Sequence, residues 1–455
     1  MMGQWEYWGS DEDPSMARAR APANSPMKSN QLALFDSNAA PQVPHSHPTT
    51  FVSELCAFMW EGKRTVEQTT MAEYEGQSVA VPLLVNEFWT SRQRAAHSLH
   101  EISYRACFKP QLPRFFIDRL TEPGQTVYDP FSGRGTTALE AALLGRVPTA
   151  CDINPLSRIL LEARLSPPSL PQIVARLGKI PWSDISDIRE DLLVFYHPDT
   201  LRQISALRKY LLEREQSGRL DNVDRWLRMV AVNRLTGHSP GFFSVYTLPP
   251  NQAVSIEAQA KINAQRNQVP AKRDVPRLIL AKSRSLLADL SEESTRALEL
   301  VAPKGQLITG HAASTHEICS NSIDLVVTSP PFLDVVDYAA DNWLRCWFCG
   351  IDPKSVGITI AKQPQEWHDA MRKVFVELFR VLRPGKFVAF EVGEVRGGKL
   401  KLEDLVLPSA MGAGFEGCLV IVNAQTFTKT ANCWGVTNNQ KGTNSNRIVL
   451  LQKPA

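Results

Sequence analysis

The stretch Val127-Tyr128-Asp129-Pro130-Phe131-Ser132-Gly133-Arg134-Gly135-Thr136-Thr137 decides the fold. An apolar run ends in an acid, a tight Gly-containing loop follows, and Thr136-Thr137 opens the helical pattern TTALEAALLG, closed by Gly145. Strand, turn and helix in that order form a small-ligand cradle. Glycines let the backbone approach a ligand, and free N–H groups at a helix N-terminus favour an anionic group such as a carboxylate. A lone G-x-G is weak evidence, since tight strand-to-helix turns also use it structurally. The signal gains weight from Asp152, which ends the next strand pattern, Arg146 to Pro155. Doubly wound sheets place a ribose-binding carboxylate there.

Outward from this unit the α/β rhythm pauses and then resumes. Before it, PRFFIDRL reads as a helix, and residues 51–105 hold the apolar segments FVSELCAFMWEG and VAVPLLVNEFW. After it, residues 166–304 show recurrent helical spacing and few strand signals, as expected of a mostly helical insertion. An unusual loop, Gly237 to Tyr246, interrupts it. From 305 to 455 strand patterns return in GQLITG, IDLVVTSPP, KFVAFEVG, CLVIVNAQTF and RIVLLQK, with a helix over EWHDAMRKVFVELFRVL. The expected class is α/β, a doubly wound sheet. Its cofactor half falls in 49–165 with the N-terminal region, and its catalytic half in 305–455. Residues 1–48, rich in Pro, Ser, Ala and Asn, read as a disordered tail.

The second chemical motif is Thr328-Ser329-Pro330-Pro331-Phe332. The apolar strand IDLVV delivers it to a sheet edge, where α/β sites form. Two prolines stiffen the loop and remove two backbone donors. What remains is rich in acceptors and ends in an aromatic face, suited to an amino group on a planar ring. An ordinary Pro-Pro turn is the competing structural reading.

Composition is compatible with this. The 455 residues carry 50 basic and 47 acidic side chains, a net charge of +3 that permits nucleic-acid binding without arguing for it. No apolar run approaches the ~18 residues of a membrane span, and the N-terminus lacks a secretory pattern. An intracellular, cytoplasmic protein is expected. Eight scattered cysteines form no disulfide framework, and Cys346-x-x-Cys349 has no second pair at zinc-site spacing, so no metal is expected.

Together these residues resemble the amino-methylating DNA methyltransferases that use S-adenosylmethionine. DPFSGRGTTALEAALLGR is similar to their motif I, ACDINP to their acidic motif II, TSPPF to their catalytic motif IV, and Arg105 to Pro113 to the segment called motif X. The resemblance covers about 100–165 and 305–453. It implies a class I methyltransferase, Rossmann-like sheet. It implies cofactor contacts at Phe108, Pro110, Asp129, Pro130, Phe131, Gly133, Gly135, Thr136, Thr137, Asp152 and Thr328, and catalysis at Ser329, Pro330, Pro331 and Phe332. Two departures stand out: Arg134 where a small residue is usual, expected to point outward, and His311 where an Asp often meets the adenine ring.

Within that family an S-P-P loop is more typical of cytosine 4-amino methylation, and D-P-P or N-P-P of adenine 6-amino methylation. Ser329 therefore favours a flipped cytosine in double-stranded DNA, with adenine-N6 as the alternative. An RNA methyltransferase and an inactive nucleic-acid-binding protein are further alternatives. Carbon-5 methylation needs a cysteine nucleophile, usually in a Pro-Cys context, and the chain has no Pro-Cys dipeptide. The catalytic half reaches the end of the chain, so sequence recognition is expected from the insertion or the N-terminal region. Lys272, Arg273, Arg277 and Lys282 belong to a basic window, 261–284, suited to phosphate; a solvated helical face is the alternative. In the tail, Gln31-Leu32-Ala33-Leu34-Phe35 resembles the Q-L-x-L-F peptide that docks on the bacterial sliding clamp. Gln31 would bond at the rim, with Leu34 and Phe35 in an apolar pocket.

Overall fold

A computed structural model describes residues 48–90, 96–104, 107–183, 188–247, 253–331, 338–353, 356–357, 363–392, 394–395, 400–424 and 445–455. The clamp-like pentapeptide at 31–35 and Phe332 lie outside the described residues.

In chain order the described elements are α1 Pro48–Ala57, β1 Val66–Tyr74, β2 Gln77–Asn86, α2 Gln111–Leu120, β3 Thr126–Asp129, α3 Thr136–Leu143, β4 Val147–Asp152 and α4 Pro155–Leu165. The insertion supplies α5 Leu170–Leu177, α6 Pro198–Gln216, α7 Asn222–Val232, α8 Ile256–Arg266, α9 Val275–Leu286 and α10 Glu292–Val301. The rest is β5 Gln306–Thr309, β6 Ile323–Thr328, α11 Tyr338–Cys349, α12 Pro364–Val381, β7 Leu382–Val392, α13 Glu403–Met411, β8 Glu416–Ala424 and β9 Ser445–Gln452.

Nine strands form one sheet in the order β1-β2-β8-β9-β7-β6-β3-β4-β5. β3 lies parallel to both β4 and β6, whereas β9 runs antiparallel between β7 and β8. The chain winds outward from β3 through β4 to β5, then returns to β6 on the other side of β3. That reversal is the topological switch point, where doubly wound sheets bind ligands beyond their strand C-termini. Asp129 and Thr328 end the two strands that flank it.

β6 is buried along its whole length, which is why IDLVVT is apolar without alternation. The N-terminal region is part of this sheet, because the β1–β2 hairpin pairs through β2 with β8. Phe51 and Leu55 of α1 pack in one core with Phe115 and Phe116 of α2. The insertion also shares a core: Trp226, Leu227 and Ile279 join one apolar cluster with Leu139 and Leu161 beside the cradle. The loop 237–246 folds inward, burying Phe242, Phe243 and Val245. No described helix is long and apolar enough to cross a membrane.

Candidate active site

The first half of the site is the turn after β3. Gly133 and Gly135 have φ of +53° and +77°, left-handed values that L side chains rarely adopt. At Gly135 space is also decisive, since an added Cβ would sit 2.7 Å from Leu161 Cδ1 of α4. The loop is braced by Ser132 N–H donating to Cys151 O at 3.0 Å and Gly133 N–H to Asp152 Oδ2 at 2.7 Å. Asp152 Oδ1 accepts from Asn154 N–H at 2.8 Å. Both carboxylates of the cradle titrate high: burial pushes Asp129 up to about 7 and Asp152 up to about 6, although hydrogen bonds pull each back.

Arg134 does not point outward; it is buried. Its guanidinium donates to Thr136 Oγ1 at 3.0 Å, to Ile102 O at 3.1 Å and to Phe108 O at 3.2 Å. A small residue could not reach those carbonyls, so the substitution exchanges a short turn residue for a strut. The strut holds Ile102 and Phe108 beside the turn, where Tyr104 and Cys107 lie nearest to Gly133. Burial lowers the Arg134 pKa without removing its charge.

The expected cofactor contacts divide in two. Asp129, Gly133, Gly135 and Asp152 shape the turn, and Phe131 is half-buried beside it. Thr136 and Thr137 face the protein: Thr137 donates to Val327 O of β6 at 3.1 Å. Pro110 caps α2 from a buried position, and Phe108 contributes its carbonyl to Arg134. Ser132 Oγ is buried without a hydrogen-bond partner among the described residues. An orphaned hydroxyl inside a glycine turn fits a ligand that brings its own polar groups. His311, at the end of β5, is exposed and accepts from Ala313 N–H at 3.1 Å.

The second half is the end of β6. Thr328 Oγ1 donates to Asp129 Oδ1 at 2.6 Å and so ties the S-P-P loop to the glycine turn. Ser329 donates to Glu391 at the end of β7, and Asn446 Nδ2 of β9 donates to the same carboxylate at 2.6 Å. Burial raises the Glu391 pKa while those two hydrogen bonds hold it down. Trp367 Nε1 of α12 donates to Pro331 O at 2.9 Å, which fixes the rigid loop from its far side. Glu391, Asn446 and Trp367 are absent from the expected site. An acid inside the apolar run KFVAFEV was the one signal available for Glu391.

The four expected DNA-contacting cations do not present one uniform patch. Arg277 is exposed on the first turn of α9, and exposed Lys272 pairs with Asp199 at 2.9 Å. Arg273 is held through its backbone by Thr200 Oγ1, and Lys282, 12% exposed, lies 3.9 Å from Glu101. Among the described residues no group of His, Cys, Asp and Glu is arranged to hold a metal ion.

Residues 53–157 match the N6/N4 DNA methylase family model. That match begins well before residue 100, consistent with a β1–β2 hairpin built into the sheet. A type II methyltransferase of Geobacillus stearothermophilus, M.BsoBI, is 24% identical over 296 residues, covering 57% of this chain and 54% of the relative. M.MvaI of Kocuria varians is 28% identical over 142 residues, covering 30% of this chain and 27% of its own. The chain thus spans about half the length, or less, of the curated relatives it matches. An rRNA methyltransferase of Streptomyces viridochromogenes superposes with a TM-score of 0.30 at 13% identity, over 78% of this chain and 89% of that one, too low for functional argument. Over residues 53–157 the chain is thus similar to the N6/N4 DNA methylase family, and the motif order and switch-point geometry agree with that likeness.

Proposed function

We propose that the chain methylates the exocyclic amino group of a base flipped out of double-stranded DNA, cytosine N4, using S-adenosylmethionine. The observation that supports this reading most is the hydrogen bond joining Thr328 of the S-P-P loop to Asp129 of the glycine turn, which brings the two motifs together. Bound in that cradle, the cofactor supplies an electrophilic methyl group. Gly133 and Gly135 would let it approach the backbone closely, the orphaned Ser132 hydroxyl would meet one of its polar groups, and Asp152 its ribose.

The chain's own contribution is at the amine. An exocyclic amine shares its lone pair with the ring, so the site must draw that pair out of the plane. Ser329 Oγ and the Pro330 carbonyl accept the two amino hydrogens, and Phe332 stacks on the base. A methylated amine must also lose one proton. Ser329 Oγ can take it while passing its own proton to Glu391, whose burial already favours the protonated form. Positioning and electrostatics do the remaining work.

Transfer of labelled methyl to DNA, followed by nucleoside mass spectrometry, tests the reading: 4-methylcytosine is expected, and 6-methyladenine alone overturns the choice of base. Ser329→Ala and Glu391→Gln should each slow transfer by about 10²-fold or more while leaving cofactor affinity intact. Phe332→Ala should behave the same way. Docking of the 31–35 segment on a bacterial sliding clamp belongs to the same proposal, as a tether that raises local enzyme concentration on new DNA. A peptide spanning residues 25–40 should bind a clamp, and lose binding when Leu34 and Phe35 become Ala. No binding at tens of micromolar would remove the tether.

A further inference from the structure

A cavity of about 360 Å³ opens between the insertion and α11, lined by Arg189, Arg208, Trp343, Trp347 and the turn 350–353. Trp343 and Trp347 stand four residues apart on α11 and so share one helix face. The Arg189 guanidinium carbon lies 5.5 Å from the Trp343 ring centroid, and that of Arg208 lies 5.3 Å from the Trp347 centroid. The Trp343 indole and the Trp347 backbone are each held by a hydrogen bond. Trp343 Nε1 donates to Ala253 O at 3.2 Å, and Arg208 Nε donates to Trp347 O at 2.8 Å. The floor is set by Gly350, where an added Cβ would meet Leu212 of α6 at 2.9 Å.

The charges are arranged at a cost. Burial and the neighbouring Arg189 both hold the Arg208 pKa below its ordinary value. Arg189 leans on Asp191 at 2.8 Å, and Asp352 is the carboxylate among the lining residues. Two cations crowded at the mouth of an aromatic cavity are relieved by an anion joined to a flat ring. Aromatic faces beside guanidinium groups are how proteins hold unpaired bases with their phosphates. The volume sits at the low end of the ~300–1,000 Å³ typical of small-ligand sites, which suits one nucleotide and excludes a duplex.

We propose that this cavity binds one unpaired nucleotide of the DNA substrate, its base against Trp343 and Trp347 and its phosphate between Arg189 and Arg208. The proposal rests on the DNA-methylation reading and adds a second nucleotide site to it. α11 starts seven positions after Pro331, so its first residue lies within about 25 Å of the catalytic loop. One bound strand can therefore reach both.

The test uses the full chain with a single-stranded deoxy-octamer carrying 5-iododeoxyuridine. Photo-crosslinks are expected at Trp343 or Trp347. The Arg189→Gln/Arg208→Gln variant should bind the octamer about tenfold more weakly, with a salt slope shallower by roughly 0.7, while cofactor affinity and circular dichroism are unchanged. Arg189→Gln alone, at a 40% exposed side chain, gives a second readout if the double variant fails to fold. It should lose about half of the slope change. Wild-type affinity and slope in these variants, or crosslinks confined to other segments, overturn the proposal. Tighter binding of the matching ribo-octamer overturns the DNA assignment. Methyl transfer to DNA is measured in parallel: if the wild type methylates DNA while the octamer results fail, this site falls alone. If it methylates no DNA, both readings fall.

Discussion

Thr328 donates its hydroxyl hydrogen to Asp129 at 2.6 Å, joining the last residues of two adjacent parallel strands whose chain positions are 199 apart. The bond is fully buried, and it connects the S-P-P loop to the glycine turn.

Thr328→Val keeps the side-chain shape and deletes this donor. Asp129 then retains Phe131 N–H but loses its shortest partner. A loss of about 1–3 kcal/mol in unfolding free energy is expected, the usual cost of stranding a buried polar atom. Thr328→Ser should recover most of it. Urea denaturation of the two variants side by side checks the pair; equal destabilisation would assign the effect to the lost methyl group.

The two cradle carboxyls give pH a definite sign. Asp129 titrates near 7 and Asp152 near 6 in the folded chain, against an ordinary value near 3.8. The native state therefore binds more protons than the unfolded state between about pH 4 and 7, and stability falls as pH rises through that window. Glu377 has the opposite sign: Arg380 holds its carboxyl down to about 2, so its contribution is lost as pH falls below about 4. Without cofactor, these three groups place the stability maximum near pH 4. Asp129→Asn should flatten the decline toward pH 7, each pH unit removed being worth roughly 1.4 kcal/mol at most. Thermal midpoints across pH 4 to 8 provide the measurement.

The glycine turn, the acid after it and the S-P-P loop are legible in sequence because each is local: a few adjacent residues state both the backbone need and the chemistry. The strands from Thr126 to Gln452 follow for the same reason, as apolar runs bounded by turns. The hairpin of β1 and β2 is less legible. β1 has a mostly exposed face, VEQTTMAEY, and its place in the sheet depends on pairing through β2 with residues some 340 positions later. Trp367 and Glu391 are silent for a related reason. Their role exists only where α12 and β7 meet the S-P-P loop in space, 36 and 62 residues from the groups they touch. Arg134 misleads outright, since a guanidinium in a turn ordinarily seeks water and here it seeks three inward-facing oxygens.

Gly135 and Gly133 should respond differently to alanine. Gly135→Ala combines a positive φ, costing about 1–2 kcal/mol, with a Cβ 2.7 Å from Leu161. Gly133→Ala carries the φ cost, but its Cβ would meet Cys107 Sγ at an ordinary 3.5 Å. The first variant should therefore unfold at clearly lower denaturant, and Leu161→Ala in the same chain should return part of the difference. If the two single variants match in midpoint, the close helix–strand approach is not what fixes this turn.

Arg134→Met keeps the aliphatic stem and removes the strut. The Ile102 and Phe108 carbonyls lose their anchor, so amide exchange next to each should quicken and cofactor should bind about tenfold more weakly. Arg134→Lys should not restore it, because one ammonium cannot serve three acceptors in the geometry of a guanidinium fork. Exchange mass spectrometry with calorimetry of cofactor binding distinguishes this from simple unfolding, which would quicken exchange across the whole sheet.

The basic window separates into outward and inward cations, and salt dependence should separate them too. Lys272 is 68% exposed beside Asp199, and Arg277 is exposed on the first turn of α9. Lys282 turns toward Glu101 with 12% of its side chain exposed. Lys272→Gln/Arg277→Gln should weaken duplex binding and make the plot of log affinity against log salt shallower by roughly 1.8, about 0.9 for each phosphate left without its cation. Lys282→Gln should leave that slope as it is and show its effect in thermal stability instead. Titrations of a 30-base-pair duplex at several salt concentrations make the comparison. An unchanged slope in the double variant would mean that this face of α9 is solvated rather than seated on DNA, and would move recognition elsewhere in the insertion.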